Sequence, residues 1–228
     1  MLQNKSQVVD AIKTVAMALG EMNQQIVFVG GAIAGMYVDD PGAPEMRPTK
    51  DIDIVFEITS LLELEDLRRR LAERGFQFAK DEKVMCRFIY KDILIDVMST
   101  KNVGWALANP WFKSGFDFAE TLFLDEIKIK IMPFCYYLAS KFVAFKERGT
   151  EARTSHDFED IVYLLDNRLT LTKDILGSQE DVKIFLINEF SAMLNEESLQ
   201  EAVLAHLEPE FQTQRYKMLI QKLKEIIV

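Results

Sequence analysis

Asp51 and Asp53 stand two apart in DIDIVFEI (51–58), a run whose apolar positions read as a strand. Successive strand side chains point to opposite faces, so the two carboxylates project together while Ile52 and Ile54 turn toward the core. Two strand steps set them roughly 6–7 Å apart along the backbone. Carboxylates so spaced can grip a pair of Mg²⁺ ions about 3.5–4 Å apart. Magnesium takes oxygen ligands, commonly carboxylates completed by substrate phosphates. A third carboxylate, Asp96 in ILIDVMS (93–99), shares its strand face with Leu94 and Met98. A charge there is costly unless it meets water, a cation or another partner, and Arg87 is a candidate partner.

Ahead of these strings, Gly30-Gly31 follows the apolar run IVFV and precedes AIAGMYV, which reads as a helix start. Bare backbone amides at a helix N-terminus bind anions through unsatisfied N–H groups and the helix dipole. Glycine is required where a side chain would block the approach of a phosphate. Each string has a plainer reading, the glycine pair as a turn and the aspartate pair as a cap. Their joint order, each on a suitable element, describes one site for a divalent cation, Mg²⁺ (or Mn²⁺), and a phosphate group.

The elements that must position these residues are legible in outline. Residues 5–20 carry helical apolar spacing (Val8, Val9, Ile12, Val15, Ala16, Leu19) and stop near Gly20. QQIVFVGG is a short buried strand, and DDPGAPEMRPTK, with three prolines and a glycine, is a loop. Ser60 and Glu63 form a capping box for a helix running to Gly75. RFIY and ILIDVMS flank Lys91-Asp92 as a β-hairpin, and TLFLDEIKIKIM is a strand pair turning near Asp125-Glu126. After Pro133 the pattern becomes helical, over 134–148, 156–167, 179–196 and 209–227. The expected organisation is an α+β core over residues 1–132, a mixed sheet with flanking helices, then a helical domain over 133–228.

Composition narrows the setting. With 228 residues and 49% apolar residues the chain can bury a sizeable core. No apolar run approaches the roughly 20 residues of a membrane span, and no secretory signal opens the chain, so a cytoplasmic protein is expected. Cys86 and Cys135 read as reduced thiols, and with His156 and His206 they lack any structural zinc spacing. The net charge of −9 argues against general nucleic-acid binding. Residues 68–91 are nevertheless +5, leaving the rest −14. That stretch is either a face for an RNA end or phosphorylated substrate, or a solvated helix surface.

VGGAIAGMY, RPTKDIDIV and ILIDVMS together resemble the polymerase-β-like nucleotidyltransferase superfamily, and more narrowly its AbiEii/AbiGii toxin-type branch. The branch string R-x-S/T-x-D-h-D is matched by Arg47, Thr49, Asp51 and Asp53. Its helical lysine–arginine motif and following R-D-x-x-D-like string are matched by Lys141, Arg148, Asp157 and Asp160 in ASKFVAFKERGTEARTSHDFEDIVYLL. The resemblance covers roughly residues 26–166. It departs in the nineteen residues between Gly31 and Asp51, a longer gap than usual, and in His156 where the branch has arginine.

The resemblance implies a polymerase-β-like core with a helical domain contributing to the nucleotide site. Asp51, Asp53 and Asp96 would be catalytic and hold the metals, with Asp96 a ligand or the general base. Gly30, Gly31, Thr49, Lys141, Arg148 and Asp157 would bind the nucleotide. Lys141 and Arg148, seven apart, can share a helix face. The alternative for them is an exposed basic face, and for Asp157 and Asp160 an anchoring role. Tyr136, Tyr137, Phe142 and Phe145 read as core packing with a base-stacking ring as the sharper alternative, and His156 as structural or as an acid–base group.

The activity implied is transfer of NMP from an NTP to an acceptor hydroxyl with release of pyrophosphate, in a toxin–antitoxin setting with an antitoxin protein as partner. RNA 3′ end, protein side chain and small molecule all stay open as acceptor. Three rival readings are a catalytically silent NTP-binding module, a dinucleotide-binding α/β protein built on GGAIAG, and a DxD glycosyltransferase. The second lacks the G-x-G-x-x-G spacing.

Overall fold

The computed structural model describes residues 1–79 and 87–227. Cys86 and part of the basic 68–91 stretch, with its Lys80 and Lys83, lie outside the described residues.

The chain divides into two units, Met1–Gly35 with Glu45–Pro133, and Met36–Pro44 with Phe134–Val228. The first opens with α1 (Lys5–Leu19), capped by the Asn4 side chain accepting from the Gln7 amide. Its buried positions Val8, Ala11, Ile12, Val15, Ala16 and Leu19 follow i, i+3, i+4 spacing, so one stripe is apolar. Val9, expected in that stripe, is only half-buried, and Ala11 takes the place.

β1 (Ile26–Val29) is buried at every position, as its unbroken apolar run requires of an interior strand. A 3₁₀ turn, Gly31–Met36, follows it in place of the α-helix expected from AIAGMYV. Glycine at 35 and the proline-bearing loop just beyond withhold the residues a longer helix would need. Next come β2 (Asp51–Phe56), α2 (Leu61–Glu73), β3 (Gln77–Phe78), β4 (Arg87–Tyr90) and β5 (Ile93–Ser99). The Ser60–Glu63 capping box is present, with the Ser60 hydroxyl accepting from the Glu63 amide and the Glu63 carboxylate from the Thr59 amide at 2.7 Å. The unit closes with α3 (Phe112–Asp117), β6 (Glu120–Leu124) and β7 (Ile127–Ile131).

Among the described residues these strands form a seven-stranded sheet in the order β3-β4-β5-β2-β1-β7-β6. It is mixed: β2 runs parallel to β5 and antiparallel to β1, and β1 runs parallel to β7. The hairpin turns fall where expected, at Lys91 and Asp125, both with positive φ.

The second unit holds α4 (Phe134–Arg148), α5 (His156–Asn167), α6 (Leu171–Leu176), α7 (Glu180–Asn195), α8 (Glu197–His206) and α9 (Gln212–Ile227). α4 and α5 begin and end where the sequence pattern places them. α6 and α8 were not expected, being short elements inside stretches rich in polar residues. Segment 36–44 is tied to this unit by the Asp40 amide donating to the Asn167 carbonyl and the Tyr163 hydroxyl donating to the Pro44 carbonyl. Cys135 is buried, its thiol donating to the Asp174 carbonyl at 3.5 Å. Among the described residues no helix is long and apolar enough to cross a membrane.

Candidate active site

β2 and β5 lie side by side in register, pairing Asp53 with Asp96 and Asp51 with Leu94. Ile52, Ile54, Ile95 and Val97 are buried on the core face, so the three aspartates stand together on the opposite, half-open face. β1 brings the glycines to the same place, since Val29 pairs with Asp53 and Gly30 follows directly. Gly30 has φ +69°, and a Cβ there would lie 1.7 Å from Asp53 Oδ2. Only glycine combines that backbone with such close approach of a carboxylate. The sheet therefore gathers Gly30, Asp51, Asp53 and Asp96. Gly31 is buried at the start of the 3₁₀ turn.

Thr49 is buried just before β2 and pairs with Leu2 through the Leu2 N–H to Thr49 carbonyl bond (2.8 Å) and its reciprocal. Its hydroxyl donates to the Asp51 carbonyl at 3.4 Å, which fixes the entry of the loop into the strand.

Arg87 is the residue whose role the sequence left half-drawn. It opposes Asp96 across the β4–β5 hairpin. Its Nε donates to Asp96 Oδ1 (2.7 Å), and one terminal nitrogen donates to both Asp96 Oδ2 (2.8 Å) and Asp51 Oδ2 (2.6 Å). A two-residue turn at Lys91-Asp92 fixes that register, so the Asp96 contact is readable from sequence. The reach to Asp51, two strands away, depends on β2 lying against β5.

The donor set is all oxygen, which suits Mg²⁺ or Mn²⁺. Arg87, Asp51, Asp53 and Asp96 together sum to two excess negative charges, and a Gly30 lacking Cβ leaves the Asp53 carboxylate room. These residues fit a divalent cation in chemistry. As they stand, no three acidic, imidazole or thiol groups among the described residues are arranged to hold one.

In the second unit the residues matched to the helical motifs form their own cluster. Lys141 on α4 donates to Asp160 (2.7 Å) and Asp157 (3.3 Å) on α5, and Arg148 donates to Asp157 (2.6 Å). Lys141, Asp157 and Asp160 are buried, whereas the Arg148 side chain is 65% exposed. Asp157 and Asp160 thus anchor the basic residues. Tyr136, Tyr137 and Phe142 are buried core residues, and Phe145 packs on Phe158 with ring centroids 5.0 Å apart. His156 is exposed at the start of α5, its Nδ1 3.1 Å from Glu159.

The basic stretch is largely tied up locally. Arg69 pairs with Asp66 and Glu73, Arg70 donates to Gln25, and Arg68 lies over the Phe78 ring. A groove of about 770 Å³ lies at the far end of β2, lined by Phe56, Glu57, Ile58, Leu62, Leu67 and Arg70 among others. None of Asp51, Asp53 and Asp96 lines it, so the chemistry rather than this concavity marks the site.

Comparison with known proteins decides the family. Residues 15–225 match the family described as nucleotidyl transferase AbiEii toxin, Type IV toxin–antitoxin system. The chain belongs to that family. Among solved structures, an antigenic nucleotidyltransferase-like protein from Paracoccidioides brasiliensis aligns with a TM-score of 0.54 at 16% identity, covering 93% of this chain and 99% of that one. The antibiotic-resistance factor ANT(2'')-Ia aligns with a TM-score of 0.50 at 14% identity, covering 83% and 96%. These likenesses show the nucleotidyltransferase fold. No curated protein sequence matches the chain. The dinucleotide-binding alternative falls with the fold, because β1 and β2 are antiparallel where that motif needs a parallel βαβ unit.

Proposed function

We propose that this AbiEii-family protein transfers NMP from an NTP to an acceptor hydroxyl, in a metal-dependent reaction that releases pyrophosphate, and acts as the toxin of a toxin–antitoxin pair. The observation that carries the reading is the Asp53 carboxylate set against the bare Cα of Gly30, with Asp51 on the same strand and Asp96 in register beside it.

Asp51 and Asp53 would hold a divalent cation, with Asp96 completing the set. The bound cation would neutralise charge on the phosphates of the reacting NTP. The loop amides after β1 orient the triphosphate, and Gly30 keeps the approach open. Asp96 takes the proton of the acceptor hydroxyl as its oxygen bonds to the α-phosphorus and the bond to the β-phosphate breaks. The Thr49 hydroxyl holds the strand entry in place. In the helical unit Arg148, tethered by Asp157 and exposed, is proposed as a phosphate contact, and Lys141 and Asp160 brace that tether.

The test is incubation with each α-labelled NTP, Mg²⁺ and a cell extract, followed by separation of RNA, protein and small molecules. Label in one fraction, dependent on Mg²⁺, supports the reading and names the acceptor class. No incorporation from ATP, GTP, CTP or UTP overturns it.

A further inference from the structure

Arg87 sits where the aspartates would have to receive a cation. Its guanidinium spans Asp51 and Asp96 through three hydrogen bonds of 2.6–2.8 Å, two of them bidentate to Asp96. The arginine and both carboxylates are largely buried, with side-chain exposures of 12%, 24% and 13%. Arginine is the side chain suited to this task, since its planar fork matches carboxylate geometry and it remains charged at any working pH.

We propose that Arg87 is a resident counter-cation that closes the site in the ligand-free protein, so that metal enters with the nucleotide rather than before it. This rests on the metal-dependent transfer proposed above. Without a ligand, three carboxylates packed on adjacent strands would repel one another, and Arg87 offsets one of their charges. A metal ion alone must compete with the guanidinium for Asp51 and Asp96, which lowers its apparent affinity by the fraction of molecules in which the pair is open. An NTP brings anionic oxygens that complete the metal's coordination and offer the released guanidinium a new partner. Both contributions favour the open arrangement, so nucleotide and metal bind cooperatively. Arg87 is a positioning residue for the metal ligands.

The experiment measures Mn²⁺ binding by the resonance signal of free Mn²⁺, in wild type, Arg87→Gln, Arg87→Lys and Asp53→Asn, with and without non-hydrolysable α,β-methylene analogues of the four NTPs. Arg87→Gln is expected to bind Mn²⁺ alone roughly tenfold or more tightly than wild type. Arg87→Lys, which keeps the charge but loses the fork, should fall between them, and nucleotide should narrow all the differences. Equal Mn²⁺ affinity in wild type and folded Arg87→Gln overturns the proposal. If Arg87→Gln does not fold, the wild-type Arg87 Nε–H nuclear resonance, assigned by its loss in Arg87→Lys, decides. A resonance protected in the free protein and shifted by Mg²⁺ with nucleotide, but not by Mg²⁺ alone, supports the proposal. A resonance unmoved by Mg²⁺ with nucleotide overturns it. Failure of the underlying reading looks different: neither wild type nor any Arg87 variant would bind Mn²⁺ even with nucleotide, and Asp53→Asn would change nothing.

Discussion

Arg87 and Lys141 each hold two aspartates, one on the open face of a sheet and the other between two helices. The helical cluster is balanced, with Lys141 and Arg148 against Asp157 and Asp160, and its lysine and both carboxylates are no more than 8% exposed. Among the described residues the sheet cluster sets one arginine against three aspartates and keeps partial access to water. A balanced cluster has nothing to gain from a further cation and serves to fix α4 against α5, with the exposed Arg148 at its edge. A less completely buried cluster in which three aspartates face one arginine among the described residues attracts a divalent cation. Charge balance and burial together separate anchor from site, which the presence of ion pairs alone does not.

The sharpest way to break this contrast is Lys141→Met. It leaves Asp157 and Asp160 buried together without their shared cation, and the expected cost is about 3–5 kcal/mol of folding stability. A loss under about 1 kcal/mol in urea unfolding would show that the helical cluster is as solvated as the sheet cluster. Gly30→Ala comes next. The new Cβ would lie 1.7 Å from Asp53 Oδ2 at a φ of +69°. Left-handed backbone and forced displacement together should cost about 2–4 kcal/mol. The variant should also lose stabilisation by NTP with Mg²⁺, read by thermal melting. Full retention of both would remove the close approach from the account.

Arg87→Gln should cost less, about 1–3 kcal/mol without metal, because its partners are wetter and only charge-assisted hydrogen bonds are lost. Mn²⁺ with nucleotide should stabilise Arg87→Gln more than it does wild type, whereas Lys141→Met should gain no more than wild type. The smallest effect belongs to Asp39 in the helical unit. Partial burial works to raise its pKa, but the Leu169 amide, the Thr170 hydroxyl and the Arg168 charge outweigh it and hold the carboxyl below its ordinary 3.8. A group with a depressed folded pKa stabilises fully above its unfolded value and loses that contribution as pH falls through the folded one. The stability difference between wild type and Asp39→Asn should therefore be constant above pH 5 or so and shrink in acid below about 3.8, staying under about 1 kcal/mol throughout. A difference that grows in acid would reverse the sign.

Much of this was legible in the chain because the determining pattern is local. Alternation in DIDIV put both aspartates on one face, and i, i+3, i+4 spacing marked α1, α4 and α5 to within a residue or so. The two-residue turn at Lys91-Asp92 even fixed Arg87 opposite Asp96. What escaped depends on non-local partners or on short elements. β3 is two residues long and exists only as an edge partner of β4. α6, with six residues, and α8, with ten, lie in segments too short for their periodicity to stand out. The place of β1 between β2 and β7 leaves no trace in any one segment. The 3₁₀ turn after Gly30 reflects Gly35 and the proline-bearing loop, which the helical reading of AIAGMYV did not weigh. The arginine spanning Asp51 and Asp96 depends on strands far apart in sequence and emerged only with the sheet.

We propose that the Asp51–Asp53–Asp96 face catalyses nucleotidyl transfer. Asp53→Ala probes it most directly, since relief of repulsion with Asp96 should leave the fold intact or slightly stabilised. Wild type and variant are compared with α-labelled and γ-labelled NTP, Mg²⁺ and cell extract, alongside their melting temperatures. The expected result is incorporation from the α-label alone by wild type, matched by released pyrophosphate, and background incorporation by a folded Asp53→Ala. Near-wild-type transfer by the folded variant, or incorporation from the γ-label, would contradict it.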